Sequence, residues 1–216
     1  MNKKISVTIC DDHQIVRDGL KQIMGLYPDI EVMGGDIASG ESLISSLKGI
    51  RPDVIVLDVS LPGRSGLEVL KQVKALYPEI GVLILSMYPE DQFAIRMLKA
   101  GASGYLNKDT PPEILIDAVR TIAKGEDYIS PDVANLLVGE VLSKEDEAPH
   151  KLLSDREYEV LLLLGQGNSV TEIGEKLSLS VKTISTYRLR LMSKLKLQSN
   201  ADIVKYSIRN GILAID

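Results

Sequence analysis

The sequence contains few residues that could form disulfides or bind soft metal ions. Cys10 is the only cysteine among the 216 residues, and His13 and His150 are the only histidines. A single cysteine excludes an internal disulfide and a zinc site built from thiolates. Two histidines likewise exclude a histidine-rich metal site.

Long apolar segments are also missing. No run of about 18 apolar residues is present, so we expect no membrane-spanning helix. The first residues, MNKKISVTIC, pass directly into a strand pattern without the features of a secretory signal. We therefore expect a cytoplasmic protein.

Charge is divided unevenly along the chain. The sequence has 25 Lys and Arg residues against 30 Asp and Glu residues, a net charge of −5. Residues 150–216 hold ten of the basic and seven of the acidic residues, a net charge of +3, which leaves −8 for residues 1–149. An acidic first part and a basic second part indicate two domains with different partners.

Strand and helix patterns alternate in the first part of the chain. The strand-like runs are Ile5–Cys10, Ile30–Met33, Val54–Leu57, Val82–Leu85 and Ser103–Leu106. The helix patterns cover about 13–26, 39–48, 65–76, 90–99 and 110–124, the last opening on a cap pattern, Thr110-Pro111-Pro112-Glu113. Because parallel strands need right-handed crossovers, this alternation predicts an α/β fold: a five-stranded, parallel, doubly wound sheet of the flavodoxin-like kind.

A charged, proline-containing segment separates this pattern from a helical second part. The segment SKEDEAPHK, residues 143–151, is the best candidate for a linker, and a helix pattern over 126–142 precedes it. Helix patterns then follow over about 154–164, 169–176, 181–196 and 199–209. We predict an α/β domain (1–126), a linker helix with a flexible linker (127–150) and an all-α domain of four helices (151–216).

A polar side chain follows four of the five predicted strands. Asp11 and Asp12 follow the first strand, Asp58 the third, Ser86 the fourth and Lys108 the fifth. Because ligands of parallel sheets bind beyond the carboxyl ends of the strands, these side chains should meet in one crevice.

Three carboxylates in one crevice need a counter-charge. A divalent cation relieves their mutual repulsion, and a hard, all-oxygen site suits Mg²⁺. Asp58 could then attack a phosphoryl group, since carboxylates form aspartyl phosphates. Lys108 and the metal would neutralise the phosphoryl oxygens, and Ser86 could hydrogen-bond one of them.

Each of these residues also has a purely structural interpretation. Asp12 could be a helix N-cap, Asp58 a turn residue and Lys108 a solvated surface charge. His13 is interpreted as a helix-start residue near the site, and Cys10 as buried strand packing. The joint placement at four strand ends favours a site over coincidence.

Four segments of the first part resemble the receiver domain of bacterial response regulators, over about residues 4–124. They are ICDDHQIVRDGL, PDVIVLDVSLPGRSGLEVL, VLILSMYPE and KAGASGYLNKD. The resemblance implies that Asp58 accepts a phosphoryl group from a sensor histidine kinase. It also implies that Lys108 contacts the phosphate and that Ser86 and Tyr105 form a conformational switch. The implied Mg²⁺ ligands are Asp11, Asp12, Asp58 and the backbone carbonyl of Ser60.

The second part contains a helix-turn-helix pattern. Val170–Lys176 and Val181–Lys196 are joined by residues 177–180. At about 100° per residue, the second helix has an apolar and a mainly polar face. Ile184, Tyr187, Leu191 and Leu195 face inward, and Lys182, Thr186, Leu189 and Ser193 face outward. On charge alone, a solvated helix face is the favoured interpretation of the basic residues.

Residues from about 150 to 214 closely resemble the LuxR-type DNA-binding domain. The matching segment is LSDREYEVLLLLGQGNSVTEIGEKLSLSVKTISTYRLRLMSKLKL. The resemblance implies that Lys182 and Thr183 bind phosphate, whereas Ser185, Thr186 and Leu189 face the bases. The full set of expected DNA contacts is Lys182, Thr183, Ser185, Thr186, Tyr187, Leu189, Arg190 and Lys194.

Taken together, the two halves resemble a two-component response regulator of the NarL and FixJ type. The function this implies is control of transcription without enzymatic turnover, with Mg²⁺ as the cofactor. Phosphorylation of Asp58 would shift the conformation and the dimerisation that control promoter binding. The implied partners are a sensor histidine kinase, double-stranded DNA and a second copy of the chain, which pairs on phosphorylation or on DNA.

Three other functions fit parts of the sequence. A haloacid-dehalogenase-like phosphatase also forms an aspartyl phosphate, but it needs an aspartate two residues after the nucleophile, where this chain has Ser60. A stand-alone phosphorelay receiver leaves residues 150–216 without a role. A flavin-binding protein needs a phosphate loop rich in glycine or hydroxyl groups after the first strand, and the sequence has none there.

Overall fold

The computed structural model describes residues 3–87, 92–142 and 148–213. The chain divides into two compact units, Met1–Val138 and Gly139–Asp216. The strands belong to the first unit, and the second unit is helical.

Parallel strands form the centre of the first unit. In the described residues these strands make one sheet in the order β2-β1-β3-β4-β5. Their bounds are β1 (Ile5–Cys10), β2 (Ile30–Val32), β3 (Val54–Asp58), β4 (Gly81–Ser86) and β5 (Gly104–Asn107). This order confirms the predicted doubly wound α/β fold. The strand order reverses at β1 and β3, which is where such sheets bind ligands.

Helices cover both faces of the sheet. They are α1 (Gln14–Gly25), α2 (Gly40–Ser46), α3 (Gly66–Leu76), α4 (Gln92–Lys99) and α5 (Pro112–Ala123). Successive strand residues point to opposite faces, and every residue of β3 and β4 is buried, so neither face is open to solvent. On one face, apolar side chains of α1 and α5 join those of β1, β3 and β4 in a single core.

The second unit is a small helical domain. A helix, α6 (Pro131–Leu142), contains the point along the chain where the first unit ends and the second begins. Residues 143–147 of the predicted linker lie outside the described residues, and a short 3₁₀ helix (Pro149–Leu152) comes after them. The remaining helices are α7 (Asp155–Gly165), α8 (Val170–Lys176), α9 (Val181–Leu195) and α10 (Asn200–Arg209). Each begins after a serine whose hydroxyl accepts a backbone N–H of the first turn. The predicted four-helix domain is therefore confirmed.

Two predicted helix starts differ from the structure. The cap pattern at Thr110 was wrong: Pro111 is the N-cap residue of α5, and the helix begins at Pro112. A residue before proline avoids the α region, so Pro111 is extended (φ −53°, ψ 141°) and the helix cannot start earlier. The N-cap interpretation of Asp12 was also wrong, because His13 holds that position in α1.

The described residues contain no helix suited to crossing a membrane. None of the helices there combines the length and the apolar character that a bilayer crossing requires.

The first turn of α3 packs directly against the end of β3. Gly66, the first residue of α3, donates its N–H to the carbonyl of Val59 at 2.8 Å. A methyl group added at Gly66 would lie 2.5 Å from the carbonyl oxygen of Asp58 and 2.6 Å from Cα of Val59. These are backbone atoms, so the strand end itself has to move to admit a side chain.

Gly66→Ala should therefore destabilise the first unit, by about 2 kcal/mol, through overpacking. The matched control is Gly25→Ala, at the end of α1, where nothing lies within 4 Å of the added methyl. That change should be neutral or stabilise by up to about 1 kcal/mol. Urea unfolding followed by amide NMR signals of the sheet measures both, and a Gly66→Ala protein as stable as the control would contradict the packing argument.

Candidate acidic site and candidate DNA-binding surface

The predicted polar residues of the first unit lie at one edge of the sheet. Asp11 follows β1 and Asp58 ends β3, and the two strands are paired through Cys10 and Leu57, the residues just before them. Ser86 ends β4, and Lys108 follows β5. The parallel register therefore brings these side chains to the carboxyl edge of four strands, as the sequence predicts.

Lys108 joins the two buried carboxylates. Its Nζ lies 2.6 Å from Oδ2 of Asp11 and 2.9 Å from Oδ2 of Asp58. The side chains of Asp11, Asp58 and Lys108 are exposed by only 3%, 2% and 8%. The backbone N–H of Lys108 donates to the carbonyl of Ser86 at 2.8 Å, which fixes the lysine to the end of β4.

Burial controls the ionisation of these groups. Burial raises the pKa of the Asp58 carboxyl and the neighbouring Asp11 carboxylate adds to the rise, whereas Lys108 opposes it. Burial alone would lower the pKa of Lys108, but the carboxylates of Asp58 and Asp11 outweigh it and the pKa is raised. Burial, with help from the same carboxylates, also raises the pKa of the Cys10 thiol, so that cysteine is inert packing in β1.

Asp12 and His13 complete an acidic cluster. Ligand atoms of Asp11, Asp12, His13 and Asp58 all lie within 4.8 Å of one another. Nδ1 of His13 is 2.8 Å from Oδ1 of Asp12, and its side chain is 64% exposed. The cluster therefore offers three carboxylates to a cation, and the donor set suits a hard, oxygen-bound ion.

Ser60 lies beside Asp58. Its backbone N–H donates to Oδ1 of Asp58 at 3.3 Å, a long hydrogen bond that belongs to the loop after β3. The predicted role of its carbonyl as a metal ligand stays a prediction.

The two residues of the predicted switch occupy adjacent strands. Ser86 is fully buried and Tyr105 is 1% exposed. Tyr105 pairs with Ile84, two residues before Ser86, in the β4–β5 register. The ring of Tyr105 therefore already lies inward in this structure.

Arg17 is a residue of this site that the sequence argument missed. It lies on α1, where its side chain is 8% exposed, and its Nη1 donates to the backbone carbonyl of Asp11 at 2.7 Å. One signal was present in the sequence: Arg17 shares a helical stripe with Leu20 and Met24, which are buried. A cation on a buried stripe needs a polar partner inside the fold.

The second unit presents the predicted polar face of α9. Ile184, Leu191 and Leu195 are buried, whereas Lys182, Thr186, Leu189 and Ser193 are exposed, as predicted. The inward placement of Tyr187 was wrong, because its side chain is only half-buried and lines the outer surface. A shallow concave surface of about 300 Å³ is lined by Lys182, Thr183, Thr186, Tyr187 and Arg190. Two cations and three hydroxyl groups thus share one open surface.

One residue of the expected DNA-contact set is held by an ion pair. Nζ of Lys194 lies 2.6 Å from Oε2 of Glu157 in α7 and 3.4 Å from the carbonyl of Leu152. Burial tends to raise the pKa of Glu157, but Lys194 and the Ser154 donors outweigh it and lower the pKa. Lys194 is therefore less available to an external phosphate than Lys182 or Arg190.

Two family models match the chain, one in each unit. The model described as "Response regulator receiver domain" matches residues 7–120, and the model described as "Bacterial regulatory proteins, luxR family" matches residues 151–207.

Known proteins resemble the chain over nearly its whole length. Oxygen regulatory protein NreC of Staphylococcus epidermidis is 38% identical over 217 residues, covering 97% of this chain and 99% of that protein. Response regulator UvrY of Escherichia coli O157:H7 is 32% identical over 209 residues, covering 96% and 95%. A solved structure of RcsB from Salmonella enterica serovar Typhimurium, bound to promoter rprA in the presence of the phosphomimetic BeF3−, is 27% identical with a TM-score of 0.64 and covers 94% of this chain and 98% of that chain.

The raised pKa of Asp58 predicts a destabilising charge. The folded state binds the proton of this carboxyl more tightly than the unfolded state does, so ionised Asp58 lowers the free energy of unfolding above the unfolded pKa of 3.8. In EDTA at pH 7, Asp58→Asn should therefore stabilise the first unit by about 1 kcal/mol. The gain should shrink as the pH falls through the raised pKa of Asp58, where the folded wild type takes up the proton, and should be lost below the unfolded pKa of 3.8.

Asp109→Asn is the matched control for this prediction. Asp109 is an exposed carboxylate next to Lys108 along the chain, and its replacement should change stability by less than about 0.5 kcal/mol. Urea unfolding across this pH range measures both variants. A wild type at least as stable as Asp58→Asn at pH 7 would show that the ion pair with Lys108 outweighs burial and repulsion.

Proposed function

The chain belongs to the two-component response regulators that join a receiver domain to a LuxR-type DNA-binding domain, and from that premise we propose that phosphorylation of Asp58 controls its binding to promoters. The observation that carries the proposal is the buried Asp58 carboxylate, 2.9 Å from Lys108 in a cluster of acidic side chains. We assign residues 1–126 to the receiver, 127–150 to the linker and 151–216 to the DNA-binding domain.

The receiver accepts a phosphoryl group from a sensor histidine kinase. An oxygen of Asp58 forms a bond to phosphorus while the bond from phosphorus to the kinase histidine breaks, with its electron pair going to the ring nitrogen. Lys108 reaches both Asp58 and Asp11, so its ammonium is placed to neutralise a phosphoryl oxygen.

The acidic cluster holds Mg²⁺ in this proposal. Asp11, Asp12, Asp58 and the backbone carbonyl of Ser60 are the ligands, and the exposed imidazole of His13 stays outside the set because Mg²⁺ prefers oxygen. When bound, the ion supplies positive charge against the phosphoryl oxygens. Ser60 stands where a phosphatase of the haloacid-dehalogenase type has its acid, so we propose a phosphoacceptor without turnover of external phosphate esters.

The phosphoryl group acts on the switch pair Ser86 and Tyr105. A hydrogen bond from the Ser86 hydroxyl draws the end of β4 toward Asp58, and the space it leaves favours the inward ring of Tyr105. Because that ring is already buried in this structure, the phosphoryl group has to shift a population instead of creating a new conformation. The response spreads to the helices that flank β5.

The DNA-binding domain recognises a duplex as a dimer in this proposal. The relative RcsB is bound to promoter rprA in its solved structure. In this chain the proposed recognition helix is α9, the second helix of the helix-turn-helix. Lys182 and Thr183 bind phosphates, and Ser185, Thr186 and Leu189 face the bases, flanked by Tyr187, Arg190 and Lys194. We propose a cytoplasmic location, since a protein that binds promoters has to reach the DNA.

Acetyl phosphate with Mg²⁺ provides the test of the phosphoacceptor. Wild type and the control Asp109→Asn should take up one phosphoryl group per chain, detected as a mass increase, whereas Asp58→Asn should take up none. Lys108→Met should slow uptake by roughly 100-fold, because it removes a charge that stabilises the transition state. Equal uptake by Asp58→Asn would contradict the assignment.

Salt dependence provides the test of DNA binding. With about six phosphate contacts per dimer, log K against log[salt] should have a slope of roughly −5 on a duplex of random sequence. Lys182→Ala and Arg190→Ala each remove one cation per subunit and should each reduce that slope by about 2. Fluorescence anisotropy with a labelled duplex measures the slopes.

Two controls separate this surface from net charge. Lys48→Ala removes an exposed lysine of the receiver and should leave the slope unchanged. Lys194→Ala should reduce it less than Lys182→Ala, because Glu157 holds the Lys194 ammonium. A slope near zero for the wild type, or equal losses from Lys48 and Lys182, would argue against the α9 surface.

A further inference from the structure

Arg17 is a buried cation, and its burial is energetically unfavourable. Its side chain is 8% exposed, and it lies on the same stripe of α1 as Leu20 and Met24, which enter the apolar core of the first unit. Removing a guanidinium from water is unfavourable unless hydrogen bonds replace the lost hydration. The bonds that Arg17 makes should therefore matter to the fold or to the site.

The short hydrogen bond of Arg17 ends on the acidic cluster. Nη1 donates to the backbone carbonyl of Asp11 at 2.7 Å. Its Nε is 3.9 Å from Oδ1 of Asp36, a side chain that is 61% exposed and also hydrogen-bonds to Lys21. Within the described part of the chain, that Nε has no hydrogen-bond partner. The guanidinium is thus held mainly by the Asp11 carbonyl.

That carbonyl belongs to the peptide unit that joins Asp11 to Asp12. The same unit carries the Cα atoms of both aspartates, so its orientation sets the directions in which their carboxylates leave the backbone. On the other side of Asp11, the backbone N–H donates to the carbonyl of Ile37 at 3.2 Å. The Asp11 carboxylate in turn accepts the N–H of His13 at 2.8 Å. Arg17 supplies the anchor on the carbonyl side.

We propose that Arg17 is a positioning residue for the metal site. Its guanidinium fixes the Asp11–Asp12 peptide so that both carboxylates face a single cation before it binds. Groups that orient metal ligands in this way are worth about 10- to 100-fold in metal affinity. The inference rests on the proposed function, in that it takes the cluster to be a Mg²⁺ site.

The positive charge of Arg17 opposes Mg²⁺ binding, whereas its hydrogen bond to the Asp11 carbonyl favours it. The direction in which the Mg²⁺ affinity changes therefore tests the proposal. A guanidinium close to the cluster repels a second cation, so its removal should tighten Mg²⁺ binding if charge alone mattered. If the hydrogen bond to the Asp11 carbonyl dominates, its removal should weaken Mg²⁺ binding. The two effects predict opposite changes for the same substitution.

The experiment is an NMR titration of the full chain with Mg²⁺, following backbone amides near Asp11 and Asp58. Arg17→Met keeps the apolar stem and removes the guanidinium. We expect it to raise the Kd for Mg²⁺ by about 10-fold. Arg17→Lys keeps a donor and the charge, and should recover most of the affinity. Lys21→Met is the matched control: it removes a cation one turn further along α1 that also pairs with Asp36, and should change the Kd by less than twofold.

Each outcome decides the question. An Arg17→Met Kd that is unchanged or tighter overturns the proposal, even if thermal unfolding in EDTA shows a less stable protein, because a purely structural role lowers stability without moving the Kd of the folded state. Equal weakening by Lys21→Met also overturns it. Should Arg17→Met fail to fold, Arg17→Gln, whose amide is too short to reach the carbonyl, carries the same expectation. Failure of the wild type itself to bind Mg²⁺ would instead reject the proposed function.

Discussion

The ammonium group of Lys108 lies between two buried carboxylates, and the acidic site depends on that contact. Asp11 and Asp58 come from adjacent strands, and nothing but a cation can hold their charges together under almost complete burial. The raised pKa of Asp58 shows that Lys108 compensates this burial only in part. The site therefore retains an excess of negative charge that favours a divalent cation, and beside such a cation it can tolerate the further negative charge of a phosphoryl group.

The backbone of Lys108 links this charge balance to the switch residues. Its N–H donates to the carbonyl of Ser86. This hydrogen bond links the end of β4 to the residue after β5, and both residues lie at the same edge of the sheet. Tyr105 lies in β5, three residues before Lys108, where it pairs with Ile84 of β4 and is buried. In the proposed switch, a displacement of Ser86 should therefore also move Lys108 and Tyr105, because a close-packed core transmits small shifts as changes between discrete arrangements.

The position of the acidic site was predictable from the sequence because it follows from strand register. The contact by which Arg17 holds the backbone of that site was not predictable. Residues directly after a buried apolar run fall at the carboxyl edge of a parallel sheet whatever the loops do, which is why Asp11, Asp58 and Lys108 meet. Arg17 comes from a helix, and its contact with a backbone carbonyl depends on how α1 packs on β1, which periodicity does not specify. The start of α5 was missed for a local reason, since the restriction that Pro112 places on Pro111 overrides the capping preference of Thr110.

Different side chains of α9 are suited to DNA affinity and to sequence recognition. Lys182 and Arg190 are free of the ion pair that holds Lys194, so phosphate contact should supply most of the binding energy. The positions proposed to face the bases offer two hydroxyl groups and Leu189, which is 64% exposed. A hydroxyl pairs with several bases, and an apolar side chain distinguishes mainly the methyl group of thymine. In the proposed function, one domain therefore reads little sequence, and discrimination among promoters comes from two domains bound at a fixed spacing. In the proposed function, that requirement gives dimerisation a direct role in promoter recognition.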